Sequence, residues 1–581
     1  MSHKRDFSAQ PRLPLLALFA LAIGGLSSLG AWLLLAAIRL FTNLFFFQTL
    51  SLAARSPADN TLGAWVILAP ALGGLIVGFM ARYGSEKIRG HGIPEALEAI
   101  LFGKSRMSPK VAVLKPLSSG IVIGSGGPFG AEGPIIMTGG AAASLLAQAF
   151  SLTSAERKAL LVAGACAGMT AVFGTPLAAV LLAVELLLFE LRPRSLLPVA
   201  IACAVAGFLR PLWLDAGPLF PLTTPPPTLF ALVSCVLAGL ASGALSSAMT
   251  SALYAIEDGF ARLPLHWSWW PALGGLVVGV GGWLEPRALG VGYDVIGDLL
   301  ANHLVLSAVA ALLVVKAVIW AVALGSGTSG GVLAPLLMIG AGLGCVIGPW
   351  LPGGSVQLWA LVCMAATLGG TMRAPLTAAV FAFGLTHDAD ALLPVLLGCA
   401  VAYGFTVAVM PRSILTEKIA RRGQHVYREY GVDPLERHFV GEVMTRDVVA
   451  IAGELSVADA LARFFGADQA YRAYPVVAAG RLVGTVDRHL LLRAAESGRE
   501  TALAEVLSGG TPEFALADET CRSVASRMAA QGHERLPVVE ADGTLKLVGI
   551  VSRSDLVKPA RQLYDEESRR ERFLRARAKI T

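Results

Sequence analysis

The chain has 581 residues, of which 55% are hydrophobic and only 15% charged, with a mean hydropathy of +0.64. That balance excludes an ordinary soluble domain and describes a polytopic membrane protein. The net charge of +6 fits basic loops and tails at a cytoplasmic face. It does not fit nucleic-acid binding, because the basic residues do not interleave with exposed aromatics. The cysteines (Cys166, Cys203, Cys235, Cys345, Cys363, Cys399, Cys521) are scattered without a CxxC pair. They read as small core residues, and no metal site is expected.

In chain order, the opening MSHKRDFSAQPR carries Lys4, Arg5 and Arg12 ahead of an apolar run from Leu13 to Leu40. The run is too long, and lacks the small-residue cleavage site, for a removable signal peptide. By the positive-inside rule this end is cytoplasmic. Apolar segments follow at Leu62–Arg82, Ile93–Phe102, Val111–Ile123, Gly133–Phe150, Ala155–Met169, Leu177–Leu191 and Ser195–Leu214. After the loop GPLFPLTTPPP come Leu229–Ile256, Trp269–Leu284, Leu304–Leu324, Val332–Trp350, Val356–Leu368, Leu376–Leu385 and Leu392–Met410. Several fall short of the roughly 20 residues that span a bilayer. Short, broken helices are the pattern of a transporter core.

The stretch GSGGPFGAEGPIIMTGG, Gly124 to Gly140, places one carboxylate, Glu132, in a Gly-rich break between apolar segments. A charge at bilayer depth costs roughly 2.5 to 3.5 kcal/mol even on lenient insertion scales, which marks Glu132 as functional. Pro134 suits the first turn of the following helix, whose bare N–H groups point back into the loop and favour an anion. The stretch recurs at an offset of 325 − 124 = 201, where GSGTSGGVLAPLLMIGA matches it at Gly325, Ser326, Gly327, Gly331, Pro335, Met338 and Gly340. TPLAA at Thr175 is echoed by APLTA at Ala374. Two matching blocks in one order indicate a duplicated membrane half. Glu132 falls on Leu333, so the charge is an addition to one half.

Three motifs in this order, GHGIPE (Gly90–Glu95), GAEGP (Gly130–Pro134) and GGVLAP (Gly330–Pro335), resemble the signature of the CLC family of chloride channels and proton-coupled chloride antiporters. The resemblance covers Leu13 to Gly423. It implies an all-α polytopic membrane fold of two inverted-topology halves, and a homodimer in the lipid bilayer with one pore per subunit. Chloride, or another small anion, is the implied substrate ion, with no required cofactor and no enzymatic activity. Glu132 is the implied gate, its carboxylate competing with the anion; anion contacts are implied at His91, Gly92, Ile93, Gly130, Gly133, Val332 and Leu333. His91 stands where the family usually has serine. Either its ring donates to the anion, tuning flux between about pH 5 and 8, or it turns aside to a hydrogen bond elsewhere. The family's inner tyrosine aligns with Leu415. Of two adjacent glutamates common in proton-coupled members, the first is Glu185 and the second is Leu186. Glu185 either carries protons or, the favoured reading, is tied to neighbouring helix ends. Lys115 and Lys316 either draw anions towards the pore or snorkel and cap helix ends.

Beyond Arg421, Arg422 and Gly423 the composition becomes that of a soluble domain. Two units of strand, helix, strand, strand, helix, with turns at Ala479-Gly480 and Asp542-Gly543, resemble a tandem α/β CBS module. Such modules often bind adenine nucleotides. Ser552 and Asp555 in GIVSRSD are the candidate contacts, with Ser552 as a simple helix cap the equal alternative; Asp487 and Leu490 spoil the matching place in the first unit. The expected organisation is an N-terminal segment 1–12, a transport domain 13–430, CBS domains 431–500 and 501–560, and a basic tail 561–581 on the membrane or a neighbouring subunit, both termini being cytoplasmic and the membrane that of the cell. An intramembrane metalloprotease is excluded, because His533-Glu534 is not followed by the HExxH pattern. A CBS-regulated divalent cation transporter would need several pore carboxylates, and Glu132 and Glu185 lie in different segments. With Leu186 and Leu415 at the inner positions, the expected activity is channel-like anion flux with weak or no proton coupling; the alternative is a proton-coupled antiporter.

Overall fold

The computed structural model describes residues 12–212, 214, 216–426, 434–466, 469–498, 500–540, 542–559 and 570–571. They divide into a membrane unit, Met1–Arg428 with Arg570–Thr581, and a second unit, Glu429–Arg569.

The first half of the membrane unit runs through α1 (Leu13–Phe47), α2 (Leu68–Tyr83), α3 (Ile93–Leu101), α4 (Pro109–Gly124), α5 (Glu132–Gln148), α6 (Ser154–Phe173), α7 (Pro176–Leu182) and α8 (Pro193–Leu209). The second half repeats the order with α9 (Ala231–Ala261), α10 (Trp270–Leu284), α11 (Tyr293–Leu300), α12 (Leu306–Gly325), α13 (Leu333–Ile347), α14 (Val356–Met372), α15 (Pro375–Thr386) and α16 (Leu392–Val409), before α17 (Ile414–Arg421). Seven helical segments among the described residues are long and apolar enough to cross a membrane. The others are short, as the sequence predicts. The expected run Leu177–Leu191 is broken: α7 passes into a π-turn, Ala183–Leu188, that ends at Phe189 with φ +54°.

Equivalent helices start and stop by equivalent devices. α6 opens on a capping box in which Thr153 and Glu156 satisfy each other's backbone N–H, and closes at Gly174 with φ +71°. α14 opens on the Ser355 hydroxyl and closes at Arg373 with φ +56°. Proline then begins the next helix in both halves, at Pro176 and Pro375. A cap of this kind is worth about 1 kcal/mol. α6 and α14 are buried along almost their whole length and form the centre of each half. α5 reaches α6 backbone to backbone, because Gly139 and Gly164 lie against each other's carbonyl oxygens. Association in lipid depends on such close packing by small residues.

The two halves meet at their Gly-rich breaks. Gly130 and Gly331, equivalent residues under the 201 offset, form an antiparallel bridge, with Gly331 N donating to Gly130 O at 3.0 Å and Gly130 N to Gly331 O at 3.3 Å. A segment that pairs antiparallel with its own repeat lies on a two-fold axis, as inverted repeats require.

In the second unit, strands Ile451–Ala452, Ala473–Ala478 and Arg481–Asp487 form one three-stranded sheet, parallel then antiparallel. Ala515–Leu516, Arg535–Val539 and Leu547–Ser552 form another of the same order. Each sheet carries its own apolar cluster, around Val476 and Val486 in one and Val538 and Val551 in the other. The first hairpin turns at Ala479-Gly480, both with positive φ. The second is longer than expected, because pairing ends at Val539 and Leu547. Of the basic tail, Arg570 and Glu571 pair with Thr153 and Leu152 of the membrane unit; the rest of it, and residues 1–11, lie outside the described residues.

A methyl group at Gly139 or Gly164 would overlap the facing carbonyl oxygen, whereas at Gly25 it would meet only Leu209 Cδ1 at 3.9 Å. Gly139→Ala is therefore expected to lower the melting temperature of the detergent-purified protein by several degrees or to abolish its monodisperse peak, while Gly25→Ala leaves both within error.

Candidate functional site

Glu132 is the first residue of α5 and is wholly buried. Its Oε1 accepts from the Ala334 N–H at 2.9 Å, in the first turn of α13. Its Oε2 has no hydrogen-bond partner among the described residues. A carboxylate from one half thus caps the equivalent helix of the other half, with only one oxygen engaged. Gly130 and Gly331 leave the space the carboxylate fills, since a side chain at either would run into it. Val332 and Leu333, beside that helix end, are buried.

α3 approaches from the other side. Gly92, with φ +88°, caps it, and Glu95 Oε2 accepts from Gly92 N at 3.0 Å. Ile93 is buried. The Gly92 and Gly133 backbones touch, and the His91 carbonyl lies against Gly133, so the N-terminal ends of α3 and α5 abut. His91 is 1% exposed, and neither ring nitrogen has a hydrogen-bond partner among the described residues. Of the two readings of the ring, the described residues supply no hydrogen bond that would turn it aside. α17 packs against α3: Ser413 caps it, Leu415 is buried, and Tyr254 donates to Ile414 O at 2.5 Å.

The buried lysines are caps. Lys115 Nζ donates to Ile88 O and Gly90 O, both at 2.8 Å, and Lys316 Nζ to Ala288 O and Gly290 O, both at 2.9 Å. Lys115 also donates to Ser329 Oγ at 3.0 Å, which meets Ser118 and Ser119 as well. Isolated buried charges cost several kcal/mol each, and the aligned carbonyls at the turn before α3 and before α11 offset part of that.

Glu185 lies apart from Glu132, in the π-turn after α7. Its carboxylate accepts from Leu376 N at 3.3 Å, Thr377 N at 2.7 Å and Thr377 Oγ1 at 2.6 Å, the first turn of α15. Leu186 is buried. The geometry is that of a helix-end tie, the reading favoured from sequence.

Helix N-termini from both halves that converge on one buried carboxylate define a membrane transport protein with an anion-favouring centre. A family model described as "Voltage gated chloride channel" matches residues 73–407, and CBS domain models match 440–497 and 511–560. The chain is 31% identical over 377 residues to the voltage-gated ClC-type chloride channel ClcB of Salmonella typhimurium, covering 63% of this chain and 88% of that one. Identity to the ClcB of an Escherichia coli strain is 31% over 379 residues, with the same two coverages. Among solved structures, a slow cyanobacterial Cl−/H+ antiporter aligns with a TM-score of 0.62 at 22% identity, over 71% of this chain and 99% of that one. A eukaryotic CLC transporter aligns with a TM-score of 0.62 at 20% identity, over 94% and 98%. At those identities the likeness is one of fold. The chain belongs to the voltage-gated chloride channel (CLC) family, a family of chloride channels and transporters, and carries tandem CBS domains.

In the CBS unit, Ser552 and Asp555 face each other in a capping box on Arg553–Leu556. Ser552 Oγ donates to Asp555 Oδ2 at 2.6 Å and Ser552 N to the same oxygen at 2.9 Å, while Lys558 pairs with Oδ1 at 2.7 Å. A cavity of about 560 Å³ lies instead beside Thr485 and Asp487 of the first CBS domain, with Thr511, His533 and Arg535 opposite. Sequence reading missed this, because it judged the first motif by the loss of its serine and aspartate.

Burial alone would push the Asp555 carboxyl up, but Lys558, the Ser552 hydroxyl and the Ser552 N–H outweigh it and hold it below the usual carboxylate range. A group depressed in the folded state contributes stability above its unfolded value and loses it as pH falls through the folded value. Ser552→Ala is expected to cost the second CBS domain about 1 kcal/mol at neutral pH, measured as a lower urea midpoint for that domain in the full-length protein, and the difference from the parent shrinks once Asp555 is protonated.

Proposed function

We propose that the protein conducts chloride or another small anion through a Glu132-gated pore in each subunit of a homodimer, with weak or no proton coupling. The observation that carries this reading is the Glu132 carboxylate on the Ala334 N–H. A helix N-terminus carries about half a positive charge, and a chloride ion placed there would use the same donor. Carboxylate and anion therefore compete for one place. Protonation of Glu132 removes the charge that holds it there and admits the anion.

His91, buried and without a hydrogen-bond partner for either nitrogen among the described residues, supports a direct N–H donor to the anion in the place of the usual serine hydroxyl. Gly92, Ile93, Gly130, Gly133, Val332 and Leu333 supply backbone and shape around it. Weak coupling is supported by Leu186 and Leu415, which cannot titrate or hydrogen-bond to an anion, and by the use of Glu185 as a tie to α15. The domain limits, the cell-membrane location and the cytoplasmic placement of both termini and the CBS module belong to the same reading. An adenine nucleotide at Ser552 and Asp555 would have to displace Lys558 and open the capping box.

Glu132→Gln, which keeps the shape and removes the charge, is expected to raise chloride efflux from liposomes several-fold and to flatten its pH dependence; unchanged flux and pH profile would place the gate elsewhere. His91→Leu is expected to weaken apparent chloride affinity about tenfold, the loss of one hydrogen bond to a charged group, whereas His91→Ser retains it. Comparing the pH profiles of His91→Ser and the parent between pH 5 and 8 separates a titrating ring from a neutral donor. Under a fixed chloride gradient the reversal potential is expected to follow chloride alone. A shift with the proton gradient would make the protein an antiporter.

A further inference from the structure

α3 and α11 are equivalent helices of the two halves, related by an offset of 293 − 93 = 200. Each opens after a glycine of positive φ, Gly92 at +88° and Gly292 at +72°, and each follows a turn whose carbonyls a buried lysine caps. The first helical residue is Ile93 in one and Tyr293 in the other. An aliphatic side chain therefore suffices at this place in the fold. The Tyr293 hydroxyl is an addition to one half, as the Glu132 carboxylate is.

The tyrosine ring and its hydroxyl lie in different surroundings. The ring is partly exposed and lines two adjoining cavities, of about 310 and 540 Å³, on the side of the molecule where α1 ends. Phe173 and Phe220 pack edge-on to it, with centroids 6.1 and 6.2 Å from its own, an arrangement that aromatic rings favour. The hydroxyl is buried and has no hydrogen-bond partner among the described residues. Gly292 abuts Met338, one turn beyond Ala334 on α13, so the start of α11 lies beside the helix end that Glu132 caps. Glu132 is the charged group that acts on the hydroxyl, and its Oε2 also lacks a partner among the described residues. Buried polar atoms without partners are uncommon in folded proteins. Here two of them, Tyr293 Oη and Glu132 Oε2, lie within each other's field.

We propose that the Tyr293 hydroxyl receives the Glu132 carboxyl when an anion displaces it from the Ala334 N–H, and so holds the gate open. This rests on the Glu132-gating reading above. A displaced carboxyl that found no partner would carry the full penalty of a buried unsatisfied group and return to α13. With the hydroxyl in place, one hydrogen bond is exchanged for another. The phenol serves either form of the carboxyl, since it donates to an ionised oxygen and accepts from a protonated one. The hydroxyl's own lack of a partner in the closed arrangement adds to the same bias, because that cost is relieved on opening. Tyr293 is thus a positioning residue that acts on the anion through Glu132.

The test uses the full-length protein in liposomes. Tyr293→Phe, which keeps the ring and removes the hydroxyl, is expected to lower chloride efflux about fivefold, the worth of one hydrogen bond. The melting temperature should not fall, because the hydroxyl it removes has no partner in the closed arrangement. In a Glu132→Ala background the same substitution should leave efflux within error, since no carboxyl remains to be received. Unchanged efflux in Tyr293→Phe overturns the proposal, and so does a fall that persists in the Glu132→Ala background, which would assign the hydroxyl to the anion itself. A fall in efflux together with a lower melting temperature would also overturn it, as the mark of a structural residue. The parent supplies a measurement independent of any variant: added chloride should shift a carboxyl band and a tyrosine band together in the infrared difference spectrum, and a carboxyl shift with no tyrosine change would sink the proposal. Unchanged flux and pH profile in Glu132→Gln would remove the gating reading itself, a distinct result from normal gating with an inert Tyr293.

Discussion

Irregular backbone at bilayer depth must find its hydrogen bonds inside the protein, and in this chain each half supplies them to the other. Gly130 and Gly331 bond reciprocally, Gly90 N donates to Thr328 O at 3.1 Å, and Gly290 N to Gly126 O at 3.0 Å. Lys115 and Lys316 then cap the turns that precede α3 and α11. With these groups satisfied, the helix ends can stop short near the centre. One of their remaining N–H groups, that of Ala334, is taken by the Glu132 carboxylate.

Because the scaffold is duplicated, what is not duplicated stands out. Glu132 faces Leu333, His91 faces Val291 and Arg89 faces Leu289 in the repeat, while Ser329, hub of the Lys115 cluster, corresponds to Pro128. Each polar member lies near the point where the two halves touch. The backbone bridge and the lysine caps recur in both halves, whereas Glu132, His91 and the Ser329 hub each occur in one.

The sequence made the scaffold legible because Gly, Pro and apolar spacing report backbone needs directly. The repeat, the motif loops, the broken helices and the two sheet units are all visible in it. Long-range side-chain partners were not, because a side chain's partner depends on which segments the fold brings together. Nothing in the sequence around Glu185 points to Thr377, and nothing near Tyr293 points to Phe173. The offset of 201 did contain a usable signal, since it sets Glu132 against Leu333, while the loop before α3 follows an offset of 200 and sets His91 against Val291. Ser552 was ambiguous for a different reason: the same hydroxyl geometry serves a helix cap and a phosphate, and here it makes the cap, with Asp555 paired to Lys558.

Glu132 and Glu185 both reach from the first half to a helix N-terminus of the second, but they are satisfied to different degrees. Glu185 accepts from two backbone N–H groups and a hydroxyl. Glu132 accepts from one backbone N–H of the opposite half and leaves an oxygen bare in a fully buried site. Hydrogen bonds to charged groups contribute about 1.5 to 3 kcal/mol each, and a buried unsatisfied polar atom costs about 1 to 3 kcal/mol. Glu185 is therefore more completely satisfied than Glu132. A gate must lose to its ligand at reachable concentrations, so incomplete satisfaction of Glu132 is what the proposed gating requires.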